Sequence, residues 1–172
     1  ILIFFLQESL NWTTKASSGT LVVVGIIAII VQGGLIGPLV KQFGEMRLTL
    51  VGSGFILVAC ALLITAPKEN ATINIYSAVS FLAVGAGLIT PTLRALISKK
   101  LDVDKQGSIL SNLQGLQSLG GVLGIAMAGR VYDSFGPKSP FIAGSVILLF
   151  MIYLIAEGKN NNSFKNQKLK VF

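Results

Sequence analysis

The chain has 172 residues; 52% are hydrophobic, only 12% are charged, and the formal net charge is +7. A soluble domain carries about 25% charged residues, so these values exclude an ordinary soluble enzyme, a nucleic-acid-binding module and a disordered tail. The charge is also segregated: five uncharged windows, 16–40, 48–67, 70–93, 106–129 and 139–156, take up most of the length. A bilayer core of about 30 Å needs roughly 20 helical residues, and each window is near that mark.

The chain opens on a short apolar run, Ile1–Gln7. It reads as a partial helix 1–7, the end of a longer span, and the chain as a fragment. The first full helix is expected over about 18–40, ending at Gly37, Pro38 and Lys41. The second is expected over 47–66, stopped by Pro67 and the polar residues after it. The third, 73–97, contains Pro91, which removes an amide donor and bends the helix. The fourth covers 107–131 and the fifth 139–157; together these spans form a transmembrane half-domain, 1–157. Residues 158–172 read as a polar, basic cytoplasmic tail, disordered or lying on the headgroups. Strands of a membrane barrel would be about ten residues long with alternating polarity, and these windows are neither.

Basic residues in short loops set orientation. With the tail in the cytoplasm, that side carries Lys41, Arg47, Arg94, Lys99, Lys100, Lys105 and the four tail lysines. The other side carries Lys15, Lys68, Arg130 and Lys138. Topology therefore accounts for the positive charge, and no nucleic-acid partner is expected. Histidine is absent and Cys60 is the only cysteine. No metal site, no cofactor and no enzymatic activity are expected from such a set.

No charged residue lies deep in a window; Arg94, about one turn from a helix end, is placed to snorkel to the interface. Polarity is uneven among the helices. The first has Gln32, then Gly33, Gly34 and Gly37; the third has Tyr76, Ser77, Ser80 and Thr90. In the fourth, Gln114, Gln117, Gly121 and Gly124 fall on one face. Lipid cannot satisfy amide side chains, so that face looks at protein or at a water-filled cavity. Gln32, Ser77, Thr90, Gln114 and Gln117 are the candidates to line such a path. For Gln114 and Gln117, bonding between helices fits equally well. The second and fifth helices are blander and are expected to face lipid. Gly33, Gly120, Gly121 and Gly124 suit close helix packing, because small residues let backbones approach.

The segment GLIGPLVKQFGEMRLTLVG, residues 34–52, resembles a loop signature of the major facilitator superfamily. Gly37, Leu39 and Gly44 match that signature. Lys41 stands in place of its acid, and Glu45 and Met46 in place of a basic pair followed by Arg47. A second block, Gly85-x-Gly87-x-x-x-Pro91-x-Leu93-x-Ala95 followed by Gln106-Gly107, is similar to late helices of the tetracycline and multidrug efflux branch. The resemblance implies an all-α membrane protein: the C-terminal six-helix half of a major facilitator fold, with its first helix truncated. It implies a conformational loop at Gly37, Lys41, Gly44, Glu45 and Arg47. It also implies secondary transport of a small molecule by alternating access, with efflux as the reading. Its partners would be a missing N-terminal six-helix half, the lipid bilayer, protons as coupling ion and the small-molecule substrate. The location would be the plasma membrane, with a cytoplasmic C-terminus. An uptake permease for sugars or organic acids of the same fold is the first rival. A non-transport membrane assembly protein is the second.

Overall fold

The computed structural model describes residues 2–67, 71–99 and 103–168. Lys68, Glu69, Lys100 and Asp102, which enter the charge count, and the last four residues of the tail lie outside the described residues. The helices are α1 (Leu2–Leu10), α2 (Thr14–Ile30), α3 (Ile36–Phe43), α4 (Glu45–Thr65), α5 (Thr72–Ser98), α6 (Val103–Phe135) and α7 (Ser139–Lys168). A π-helical turn, Val31–Leu35, joins α2 to α3 and makes one rod of Thr14–Phe43. No strand occurs among the described residues.

Most helix ends overrun the uncharged windows, because lack of charge marks hydrocarbon depth rather than the end of backbone hydrogen bonding. The first full helix starts at Thr14, since Thr13 Oγ1 accepts from Ala16 N at 3.3 Å and caps it. The fourth extends to Val103 and Phe135. The fifth continues to Lys168, so the expected unstructured tail is helical as far as that residue. Real stops are local: Asn11 at φ 54°, Gly44 at φ 77° and Gly136 at φ 88°.

Four helices among the described residues are long and apolar enough to cross a membrane: Thr14–Phe43, Glu45–Thr65, Thr72–Ser98 and Ser139–Glu157. The fifth expected span, α6, is 33 residues long but falls outside this set. Its window is uncharged, yet its glutamines, asparagine and serines hold its hydropathy down. A helix that polar requires protein or water on part of its surface.

The core sits between α4 and α5. Phe55 stacks on Phe81 with ring centroids 5.7 Å apart. Thr49 and Thr92 hydroxyls meet at 3.0 Å in the buried seam, with Ser53 beside them. Between these contacts the backbones touch. A Cβ on Gly85 would lie 2.6 Å from the Gly52 carbonyl oxygen, and one on Gly52 3.0 Å from that of Gly85. Gly52 and Ser53, the small residues that interrupt an otherwise bland second helix, lie on a Thr-x-x-Gly-Ser edge that packs closely against α5. Toward the far end Phe5 and Leu6 of α1 join Leu63, Ile75 and Val79 in an apolar cluster, and Phe5 meets Phe141 of α7 edge-on. The opening apolar run is thus a core element.

Candidate functional site

Near its C-terminal end α5 turns one face toward α6. Thr90, Arg94 and Ile97 recur at helical spacing on that face. With Leu113, Leu116 and Gln117 they line a groove of about 280 Å³. Arg94 is the single charged residue between Thr72 and Ser98. Its guanidinium does not snorkel along its own helix. Nη2 donates across the groove to Gln114 Oε1, and to Gln117 Oε1 at 3.4 Å. Gln114 and Gln117 lie three residues apart, hence on one face of α6. Both glutamines bond between helices, and Gln117 also lines the groove.

The electrostatics of this cluster are specific. Among the described residues no carboxylate pairs with Arg94; the ion pair there is Lys99 with Glu45. Neutral amides accept hydrogen bonds from a guanidinium without cancelling its charge. Arg94 has five N–H donors in a fixed fork, and the two glutamines take only part of them. The cluster can hold a hydrogen-bond acceptor or an anion by charge and geometry. It supplies no nucleophile and no general base.

Polar contacts also fasten the rest of α6. At its start Gln106 Nε2 donates to Ser98 O at 3.1 Å. Near its end the Tyr132 hydroxyl donates to Glu8 Oε2 of α1 at 2.6 Å. Between these points Leu116, Leu119, Val122, Leu123, Ile125 and Met127 are all exposed. The helix is pinned at its ends and in the Arg94 cluster, and its middle is open within this chain.

The structure brings together Thr90, Gln114 and Gln117, but not Gln32 or Ser77. Ser77 lines a separate groove with Phe55, Tyr76 and Phe81. It is thirteen residues before Thr90 on the same helix, or about 20 Å at 1.5 Å per residue. Gln32 is exposed on the π turn, beside α5, with its Cγ 3.9 Å from where a Gly87 Cβ would stand. Pro91 lies inside α5, and the neighbouring Thr92 hydroxyl donates back to Leu88 O at 2.7 Å. Among the described residues, the close approach expected at Gly33, Gly120, Gly121 and Gly124 is not made. Nothing described lies within 4 Å of a Cβ built on any of them, or on Gly37. The approach falls at Gly52 and Gly85 instead.

In the α3–α4 turn Gly44 has φ 77° and ψ 157°, a region open in practice to glycine alone. Its N–H donates to Val40 O at 2.9 Å and closes α3. Glu45, the next residue, accepts from Lys99 Nζ and ties the start of α4 to the end of α5. Lys41 and Arg47 are exposed and make no ion pair among the described residues. Sequence reading missed the Lys99 partner and the reach of Arg94 to α6. One signal for the latter was available: a lone charge in a span, opposite amides on the next helix.

Apolar helices long enough to span, with one helix too polar for lipid on all sides, define a multi-pass membrane protein. The family model described as Major Facilitator Superfamily matches residues 1–125. The chain belongs to the Major Facilitator Superfamily. It is 26% identical over 130 residues to the class C tetracycline resistance protein of Escherichia coli, covering 76% of this chain and 32% of the relative. It is 28% identical over 157 residues to the class G tetracycline resistance protein of Vibrio anguillarum, covering 87% and 38%. A human relative, Hippocampus abundant transcript 1 protein, is 24% identical over 131 residues, covering 76% and 26%. The chain thus spans about a third of the length of the curated relatives it matches. No solved structure matches it.

Proposed function

We propose that this chain forms the C-terminal part of a secondary transporter that exports a small molecule by alternating access. The observation that carries the reading is the polar face of α6. Gln114 and Gln117 hold an uncompensated guanidinium beside an open groove, and a face of that kind suits a solute path rather than lipid. The similarity to two tetracycline resistance proteins over most of the chain favours efflux over uptake. A pure assembly protein would bring Gln32, Gln114 and Gln117 against helices and leave no cavity; Gln114 and Gln117 do bond to α5, but beside an open groove. In this reading Thr90, Arg94, Gln114 and Gln117 touch the solute, while Gln32 lines the path from the π turn and Ser77 its far end. Gly37, Lys41, Gly44, Glu45 and Arg47 form the turn that shifts as the path opens and closes.

The second wall of the path comes from an N-terminal six-helix half of the same protein, and the two rock about a central site. Carboxylates for proton coupling belong to that half, because the deep windows here carry none. The ten-to-four loop bias of basic residues supports a cytoplasmic C-terminus, and the reading takes the membrane to be that of the cell. The reading is one of transport without covalent chemistry.

The test is drug accumulation in cells that express the intact protein, with tetracycline and ethidium as probes. The wild type lowers accumulation of at least one of them. Arg94→Gln reduces the export rate by about tenfold, equivalent to roughly 1.4 kcal/mol of lost solute or transition-state binding. Export that is unchanged in Arg94→Gln and in the Gln114→Leu/Gln117→Leu pair would remove this cluster from the path.

A further inference from the structure

A second groove, distinct from the α5–α6 site, runs between α3, α4 and α5. Its volume is about 410 Å³, and its lining is apolar throughout apart from Arg47, whose aliphatic stem forms part of the wall. One side is a ladder from Val31 through Leu39 to Phe43; Val51 stands opposite and Leu88 is buried at its base. From Val31 to Phe43 is twelve residues, or about 18 Å of helix. Half of a 30 Å hydrocarbon core is about 15 Å, so the groove is as deep as one leaflet.

The groove begins at a membrane boundary. Its mouth is the α3–α4 turn, where Gly44 reverses the chain between two spanning helices. Two exposed cations stand at that turn, Lys41 and Arg47, and among the described residues neither has an acidic partner. The one carboxylate there, Glu45, is taken by Lys99. The chemistry is therefore an apolar slot of leaflet depth with unpaired positive charge at its rim.

We propose that this groove holds one acyl chain of an anionic phospholipid, with its phosphate on Arg47, the cation that lines the groove; Lys41, two residues from Leu39, lies on the other face of α3. Guanidinium binds phosphate in a forked, charge-assisted pair, and basic pockets between spanning helices are suited to lipid headgroups. The lipid would brace the α3–α4 turn against α5. The inference does not depend on what the protein transports.

The experiment is lipid retention on the intact protein, purified in detergent and delipidated. Phosphatidylglycerol or phosphatidylcholine with identical chains is added, and bound lipid is counted by native mass spectrometry. The wild type retains one phosphatidylglycerol in preference to phosphatidylcholine. Arg47→Gln weakens that preference about fivefold, the equilibrium equivalent of the roughly 1 kcal/mol that one basic residue gains near an anionic surface. Arg47→Lys preserves most of it, which separates lost charge from misfolding. Leu39→Trp, which fills the slot, lowers retention of both lipids. Equal retention of the two lipids by the wild type would overturn the proposal, since the occupant would then be chosen without regard to its headgroup. An undiminished preference in Arg47→Gln would overturn it as well.

Discussion

Replacing Gly85 by alanine puts a methyl group where α4 and α5 leave no room. The new carbon would stand 2.6 Å from the Gly52 carbonyl oxygen, 2.6 Å from Ile56 Cγ1 and 3.1 Å from Ile56 N. Favourable contacts between carbon atoms lie near 3.5–4.0 Å, so the helices must part by about 1 Å. The Ile56 side chain can rotate away, but a backbone carbonyl cannot. Overpacking of this kind costs about 1–3 kcal/mol, and the rigid contact argues for the upper part of that range. The better helix propensity of alanine returns up to about 1 kcal/mol. Parting the helices also stretches the buried Thr49–Thr92 contact, now 3.0 Å, a loss of about 1 kcal/mol. The net expectation is a destabilisation of about 2–3 kcal/mol. The assay is denaturant unfolding of the intact protein in detergent, alongside Gly54→Ala. Nothing described lies within 4 Å of a Cβ at Gly54, so that variant should match the wild type or exceed it. Equal stability of Gly85→Ala and Gly54→Ala would refute the reasoning, because the α4–α5 contact could not then be backbone against backbone.

Gly44→Ala should cost about 1–3 kcal/mol, the strain of a side chain at φ 77° and ψ 157°, whereas Gly37→Ala, at an open helical position, should cost nothing measurable in the same unfolding assay. Breaking the Glu45–Lys99 pair should do little to stability, since Lys99 is 67% exposed; a double-mutant cycle with Glu45→Gln and Lys99→Gln should show no resolvable coupling, and a clear coupling would mean that the pair is desolvated in the assembled protein.

The periodicity of charge gave away more of this molecule than any single motif. Windows free of charge coincide with the long helices among the described residues, and the amide spacing on α6 puts Gln114 and Gln117 on one face. Helix ends were less legible. They depend on single residues such as Thr13 and Gly44, whose effect lies in a cap or a backbone angle rather than in polarity. Glycines were less legible for a related reason. The eye falls on the runs at Gly33–Gly34 and Gly120–Gly121, yet a small residue matters only where another backbone stands opposite it. That place is Gly52 against Gly85.

Composition and local pattern alone determined that this chain is helical, lies in a membrane, and concentrates its polarity on particular helices. Those properties follow from the cost of exposing backbone and charge to hydrocarbon, a cost each segment meets by itself. Tertiary structure decided the rest. Arg94 reaches α6 instead of the interface, Glu45 finds Lys99 across 54 positions, and Ser77 and Thr90 fall into separate grooves. Such pairings depend on which faces of two helices meet, and that is set by how the helices pack together, not by the sequence of either helix alone.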